Sequence, residues 1–354
     1  MKRYIIVNAT ALDASGALGI LRQFVANIPD DDLKWLIFIS DKISIDCCNS
    51  NVILQPIANV KSMPRRFWWD LYGLQKWLKQ QNIQPVASIS LQNTGFNSGF
   101  NVPNFIYYHQ PIPLMNFKWN PLKREHRTLW FYKNIYPFFI KLFLRSDTEI
   151  FVQLTYIRDL FSQRFETPLD KIHIISPAIF IPDQRTITVK DLPSDKINLF
   201  YPATPVFYKN HVVVTNALSE IGNTIRFYTT VVVNDLSLSN SEHVEFLGRI
   251  PYEDVLSMYS SCDALIFPSY IETYGLPLIE AASLGVPIIA ADLPYAREVL
   301  DGYDGVTFVP YNDEEGWKTA ILKLKKGQRY QPLHIRNRPS WSDLFTIVKS
   351  RINE

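Results

Sequence analysis

The sequence is short of the residues that build several classes of protein. Among 354 residues there are three cysteines, Cys47, Cys48 and Cys262. An adjacent pair and one distant thiol make neither a disulfide framework nor a zinc pattern, which fits a reducing compartment. No stretch approaches the ~18 consecutive apolar residues of a membrane-spanning helix. Net charge is only +2, too little for nucleic-acid binding by bulk electrostatics. No G-x-G-x-x-G follows a strand-like run, which argues against a nicotinamide enzyme. Neither H-E-x-x-H nor a cysteine cluster points to a metal centre. The formal D-x-D inside "PDDDL" (Pro29–Leu33) lies in a turn before a strand and reads as solvated charge. "MKRYIIVNATALD" opens like a leader peptide, but Asn8 and Asp13 end its apolar run too early. It reads as a first strand.

What is present is globular, with 47% hydrophobic and 20% charged residues. At ~100–200 residues per domain the length suggests two domains. Short apolar runs alternate with amphipathic stretches, the rhythm of a parallel α/β sheet. Strands are expected at Arg3–Asn8, Leu33–Ser40, Val86–Ser90, Asn104–Tyr108, Glu149–Val152 and Ile172–Ile175. Helices are expected at Gly16–Ile28, Arg65–Gln81, Lys123–Arg145 and Tyr156–Phe165. Ser176–Lys196 holds three prolines and no clear period, and reads as a linker. The rhythm then restarts. Strands are expected at Ile197–Ala203, Ile225–Val233, Val244–Gly248, Ala264–Pro268 and Val286–Ala291. The matching helices are His211–Ile221, Tyr252–Ser261, Gly275–Leu284, Glu314–Lys325 and Ser340–Ile352. The division is therefore a domain over residues 1–176, a linker over 177–196, a domain over 197–338, and a helix over 339–354 packing back toward the first domain. Two doubly wound domains in tandem would face a central cleft at the carboxyl ends of their strands.

In "FPSYIETYGLPLIEAA" seven residues separate Glu272 from Glu280. Pro277 suits the first turn of a helix. Glu272 then lies in the strand-to-helix loop and Glu280 about a turn into the helix. The N–H groups of Tyr274, Gly275 and Leu276 point from the positive helix end, a place for phosphate, and Gly275 lets a ligand approach the backbone. A nucleoside-diphosphate sugar has the matching layout of ribose hydroxyls, diphosphate and sugar hydroxyls. On spacing alone, a capped surface helix fits as well.

"PSYIETYGLPLIEAASLGVPIIAADLPYAREVL" closely resembles the E-x7-E segment of the retaining glycosyltransferases of family 4, which have the GT-B fold of two Rossmann-like domains. The resemblance is most specific over Gly248–Pro310. It implies that Glu272 contacts the donor sugar and Glu280 the ribose, although Thr273 stands where the family often has Gly. Lys209, in "YPATPVFYKNHVVV", matches the family's diphosphate lysine. The arginine usually nearby is missing, with Thr204, Pro205 and Val206 in its place, and Arg249 is a candidate substitute. Gly248, Arg249 and Ile250 resemble the segment beside the nucleotide base. His109, in "NFIYYHQPIP", matches a polar residue facing the donor sugar, though a lone His is more often structural. Gly16 and Gly19 match the glycine loop facing the diphosphate, with Asn8, Asp13 and Ser15 as acceptor contacts.

The implied chemistry is metal- and cofactor-independent transfer, with retention, from a UDP- or GDP-type sugar to a glycan or polyprenyl-linked saccharide in bacterial surface-polysaccharide synthesis. The implied place is the cytoplasm, peripheral on the inner face of the cell membrane. A GT-B nucleotide-sugar 2-epimerase and a non-catalytic carbohydrate-binding module are the alternatives. Leu114–Arg145 bears seven Lys/Arg against one acid, Glu125, and is dense in aromatics. Such a helix suits an anionic membrane surface, and "MPRRFWWDLYG" (Met63–Gly73) repeats the theme. A core helix with a solvated charged face is the other reading.

Overall fold

Runs such as Tyr4–Asn8 and Ala264–Phe267 are apolar nearly throughout and buried on both faces. Only a parallel sheet covered by helices on both sides gives such runs no wet face. The computed structural model describes residues 3–58, 60, 62–179, 186–232, 243–334 and 338–353. It divides into two units, Met1–Ala178 with Arg338–Glu354, and Ile179–Asn337.

The first unit carries β1 (Tyr4–Asn8), β2 (Lys34–Ser40), β3 (Val52–Ile57), β4 (Pro85–Ser90), β5 (Asn104–Tyr108), β6 (Glu149–Val152) and β7 (Ile172–Ile174). They form one parallel sheet in the order β3-β2-β1-β4-β5-β6-β7. Ile6 lies between Leu36 and Ser88, so the order reverses between β1 and β4. Its helices are α1 (Ser15–Ala26), α2 (Met63–Trp68), α3 (Leu74–Gln80), α4 (Arg127–Asn134), α5 (Tyr136–Phe143), α6 (Thr155–Phe165) and, from the end of the chain, the helix Trp341–Asn353.

The second unit carries β8 (Ile197–Tyr201), β9 (Ile225–Thr229), β10 (Val244–Phe246), β11 (Ala264–Phe267), β12 (Ile288–Ala291) and β13 (Val306–Val309). They are also parallel, in the order β10-β9-β8-β11-β12-β13, and the reversal falls between β8 and β11. Its helices are α7 (His211–Ser219), α8 (Tyr252–Ser261), α9 (Leu276–Ser283), α10 (Pro294–Val299) and α11 (Glu314–Leu322). The helix Trp341–Asn353 is α12.

Several expectations need correction. Lys123–Arg145 is not one helix. A short 3-10 turn at Arg124–His126 leads into α4, and the chain breaks at Ile135 before α5. Pro137 explains the break, since it lacks an N–H and its ring crowds the preceding turn. Residues 114–121 are not helical at all. Arg65–Gln81 is helical but holds a π turn at Trp69–Gly73 between α2 and α3. β9 stops at Thr229, and Val233 of the expected strand lies outside the described residues, as do 180–185 of the expected linker. β3, β13 and α10 had no expectation. Their runs are short and half exposed, or broken by proline, which weakens the periodic signal.

The core under β1, β2 and β4 is completed by α12, whose Trp341, Leu344, Phe345 and Val348 are buried in it. The Trp341 ring stacks on Tyr107 at 4.9 Å and meets the Phe24 ring edge-on at 5.8 Å. Further along, Arg351 Nε donates to the buried Glu149 carboxylate, which also takes His173 Nε2 at 2.7 Å. The last helix therefore belongs to the first unit's core. Trp341→Ala should cost about 3–5 kcal/mol, the usual range for emptying a buried aromatic site. A lowered urea midpoint checks this, and an unchanged one removes α12 from the core.

Candidate functional site

At the reversal in a parallel sheet, two neighbouring strands send their following loops to opposite faces, which leaves a crevice at their carboxyl ends. In the second unit those strands are β8 and β11. The loop after β8 runs through a 3-10 turn at Phe207–Lys209 to Asn210, whose left-handed φ of 56° starts α7. The loop after β11 holds Glu272. The loops are joined by Tyr270 N–H donating to Tyr208 O at 3.0 Å. Asn210 Nδ2 donates to Tyr311 O at 2.7 Å, which ties in the loop after β13.

This scaffold places Lys209 Nζ directly on Glu272 Oε1. The side chains are 17% and 14% exposed, so the pair is largely desolvated. Aromatic rings surround the pair. Lys209 Nζ lies 5.7 Å from the Tyr208 ring centroid, Tyr270 packs on Tyr311 at 5.1 Å, and Phe207, 55% exposed, meets Tyr270 edge-on. Tyr201 Oη donates to Lys209 O at 2.9 Å and fixes the turn from below.

α9 begins at Leu276, capped by Gly275 at φ +83°, with Pro277 in its first turn. A side chain at Gly275 would be strained by that φ and would crowd Leu278 and Tyr295. Tyr274 is 2% exposed, so only its backbone can serve a ligand. Glu280 is 8% exposed. Its two oxygens accept from Tyr252 Oη at 2.9 Å and Tyr259 Oη at 3.0 Å. Burial raises its pKa above the ordinary carboxylate value, and the two phenols pull the other way. Gly248, at φ +64°, begins the loop through Arg249 and Ile250 into α8; Arg249 is exposed.

The other candidates belong to the first unit. Asn8 is fully buried, and its Nδ2 donates to Asp70 Oδ1 at 2.7 Å. Asp70 is also held by Gln92 Nε2 at 2.9 Å, and burial pushes its pKa up to about 6. Asp13 is half-buried and Gly16 exposed. A Cβ on Gly16 or Gly19 would meet nothing, so neither glycine is required by packing. The side chain of Ser15 lies outside the described residues. His109 ends β5, with its Nε2 2.9 Å from Leu91 O and its N–H donating to Asn93 Oδ1. A carbonyl only accepts, so Nε2 carries the proton and Nδ1 is the ring's acceptor. Burial lowers the His109 pKa, which keeps the ring neutral at pH 7. Among the described residues no cluster of three or more His, Cys, Asp or Glu could hold a metal.

Sequence reasoning missed the two tyrosines on Glu280. Their signal was available: seven residues apart on α8 is two turns, one face. It also missed His211, the first residue of α7. This ring is 2% exposed and packs on Tyr201 at 4.8 Å, and neither nitrogen has a hydrogen-bond partner among the described residues. Burial, then the Lys209 charge, pushes its pKa down to about 3. An unfolded histidine titrates near 6.5, so below that pH the unfolded chain takes a proton the folded ring refuses. Stability is then lost as pH falls from about 6.5 toward 3, by roughly 1.4 kcal/mol per pH unit. Between pH 7 and 5 the parent should lose about 2 kcal/mol more than His211→Phe. Urea unfolding of both proteins at the two pH values measures this; parallel losses would show that His211 is charged in the folded state.

Residues 190–338 match the family described as glycosyl transferases group 1. The O-antigen chain mannosyltransferase RfbU of Salmonella typhimurium is 25% identical over 231 residues, 62% of this chain and 64% of that protein. This chain thus matches less than two thirds of that relative's length. Two solved structures share the GT-B fold. WaaG, a glycosyltransferase involved in lipopolysaccharide biosynthesis, superposes with a TM-score of 0.61 at 14% identity, over 90% of each chain. Anabaena Alr3699/HepE in complex with UDP and glucose gives 0.62 at 13%, over 99% of this chain and 95% of that one.

Proposed function

We propose, with residues 190–338 belonging to the glycosyl transferases group 1 family, that this chain is a glycosyltransferase. It moves a sugar from a nucleoside-diphosphate donor, with retention, to a glycan or polyprenyl-linked acceptor of a bacterial surface polysaccharide. The observation that carries the reading is the Lys209–Glu272 pair in the β8/β11 crevice beside the N-terminus of α9. The likeness to an O-antigen mannosyltransferase supports the acceptor class. The likeness to a fold that holds UDP and glucose supports the donor class.

In this mechanism the acceptor hydroxyl attacks the anomeric carbon from the face of the departing diphosphate. The bond between that carbon and the phosphate oxygen breaks, and the hydroxyl proton passes to a phosphate oxygen. Lys209 and the N–H groups at the start of α9 receive the developing negative charge, a preorganised electrostatic contribution. Lys209 needs no reorganisation for this, because Glu272 already fixes it. Glu272, held beside Lys209, orients the donor sugar. Glu280 takes the ribose. Arg249 is exposed in the loop beside the base and is the candidate for a second phosphate cation. No metal is needed for charge neutralisation in this scheme, and activity in EDTA should equal activity with Mg²⁺.

Glu272→Gln should lower transfer by roughly 10²–10³, the scale of removing one preorganised group from a transition state. It should also lower stability by about 1–3 kcal/mol, because Lys209 loses its charged partner in a largely buried place. Turnover near the parent's would remove Glu272 from the site. Donor conversion without any acceptor would favour the epimerase reading.

The same proposal places the first unit on anionic membranes. No helix among the described residues is long and apolar enough to cross a bilayer. Of the seven basic residues in Leu114–Arg145, Lys133 donates to Met115 O and Arg145 pairs with Asp147 at 2.6 Å. Lys118, Lys123, Arg124, Arg127 and Lys141 remain exposed. Tyr136, Ile140 and Phe143 are core, whereas Leu122, Ile135, Phe138 and Leu142 are exposed. Phe67 packs on Phe139 at 5.3 Å, which sets α2 beside α5 and brings exposed Trp68 and Tyr72 into the same region. Such a surface binds headgroups by charge, at about 1 kcal/mol per basic residue near the surface, and acyl chains by its rings. Changing Lys123, Arg124 and Arg127 to Ser should weaken binding to phosphatidylserine vesicles and leave nucleotide affinity unchanged. Co-sedimentation equal to the parent's would count against it.

A further inference from the structure

Glu280 and Glu272 are answered differently. Glu272 has an ammonium, whereas Glu280 has two phenols, one on each oxygen. Tyr252 and Tyr259 stand on one face of α8 and are unequal partners. Tyr259 is fully buried, a fixed prop that orients the carboxylate. Tyr252 is 45% exposed and begins α8, directly after the Gly248–Pro251 loop. Tyr252 thus has solvent beside it, whereas Tyr259 has only core. The Tyr252 hydroxyl sits on Oε1 of a carboxylate that is itself 8% exposed.

A carboxylate grips a vicinal diol best when each oxygen accepts one hydroxyl. Each oxygen has two lone-pair sites; Tyr259 fills one on Oε2 from the buried side, and Tyr252 fills one on Oε1 from the half-exposed side. A diol arriving from solvent therefore meets Tyr252 first. We propose that the Tyr252 hydroxyl competes with the ligand's vicinal diol for Glu280, so that Tyr252 sets the affinity and diol selectivity of the nucleotide site. This rests on the reading of Glu280 as the ribose contact. The cost of binding is exchange of one hydrogen bond for another, with the displaced phenol returning to water. The benefit to the protein is a buried carboxylate that keeps a donor on both oxygens throughout.

The test uses the full chain and calorimetric titration with UDP, GDP and their 2′,3′-dideoxy counterparts. Tyr252→Phe keeps the ring and removes the competitor. Affinity for the ribonucleotide that binds should rise three- to tenfold, up to about 1.4 kcal/mol. Affinity for its dideoxy counterpart should stay as in the parent. Unchanged or weaker ribonucleotide binding overturns the proposal, as does equal tightening of both ligands. Glu280→Gln separates the two layers. If it leaves the ribo-to-dideoxy ratio at the parent's value, the ribose reading fails and takes this inference with it. If it collapses the ratio while Tyr252→Phe changes nothing, only the role of Tyr252 fails. Binding of neither UDP nor GDP overturns both.

Discussion

Parallel strands cannot be joined by a tight turn. Every connection must travel the length of the sheet, and where the strand order reverses, neighbouring connections leave for opposite faces. That constraint governs the molecule. In the second unit it parts the loops after β8 and β11, and those loops carry Lys209 and Glu272. In the first unit it parts the ends of β1 and β4, where Asn8, Gln92 and Asp70 form a buried polar network. Each reversal thus carries a group of polar side chains near the carboxyl ends of its strands.

Charge is managed differently at each place. A carboxylate taken out of water needs a cation or several donors. Glu272 has Lys209, Glu149 has Arg351 and His173, Asp70 has two amides with Arg66 3.8 Å away, and Glu280 has two phenols. A phenol is a weaker partner than an ammonium. A carboxylate held this way is oriented by donors on both of its oxygens. His211 is the counterexample: a buried ring with neither nitrogen paired among the described residues, held neutral by its surroundings and packed on the tyrosine that braces Lys209.

The aromatic, basic region shows how one stretch can satisfy two readings. Taken as a helix it was a single amphipathic surface. Folded, Pro137 divides it, and the two parts sort their rings between core and solvent. Tyr136 and Ile140 join the hydrophobic cluster around β5 and β6 and Phe143 is buried, while Phe138 and Leu142 are exposed beside exposed Lys141. The rings are thus divided between core and exposed positions.

Much of this was legible in the sequence. The alternation of apolar runs with amphipathic stretches determined the parallel α/β class, because burial on two faces leaves a continuous apolar signature. Pro277 and Gly275 marked the start of α9, because ring closure and a left-handed φ are local demands. The E-x7-E spacing placed Glu272 in a loop and Glu280 in a helix for the same reason. Two things were decided only by the tertiary structure. The Lys209–Glu272 contact joins positions 63 apart, and only the β8/β11 adjacency brings them together. The paired tyrosines lie on a helix whose facing neighbour cannot be read from its own period. The return of the last helix to the first domain was expected from the sequence; the structure adds which side chains it buries there, Trp341, Leu344, Phe345 and Val348, since the hydrophobic effect rewards burial irrespective of distance along the sequence.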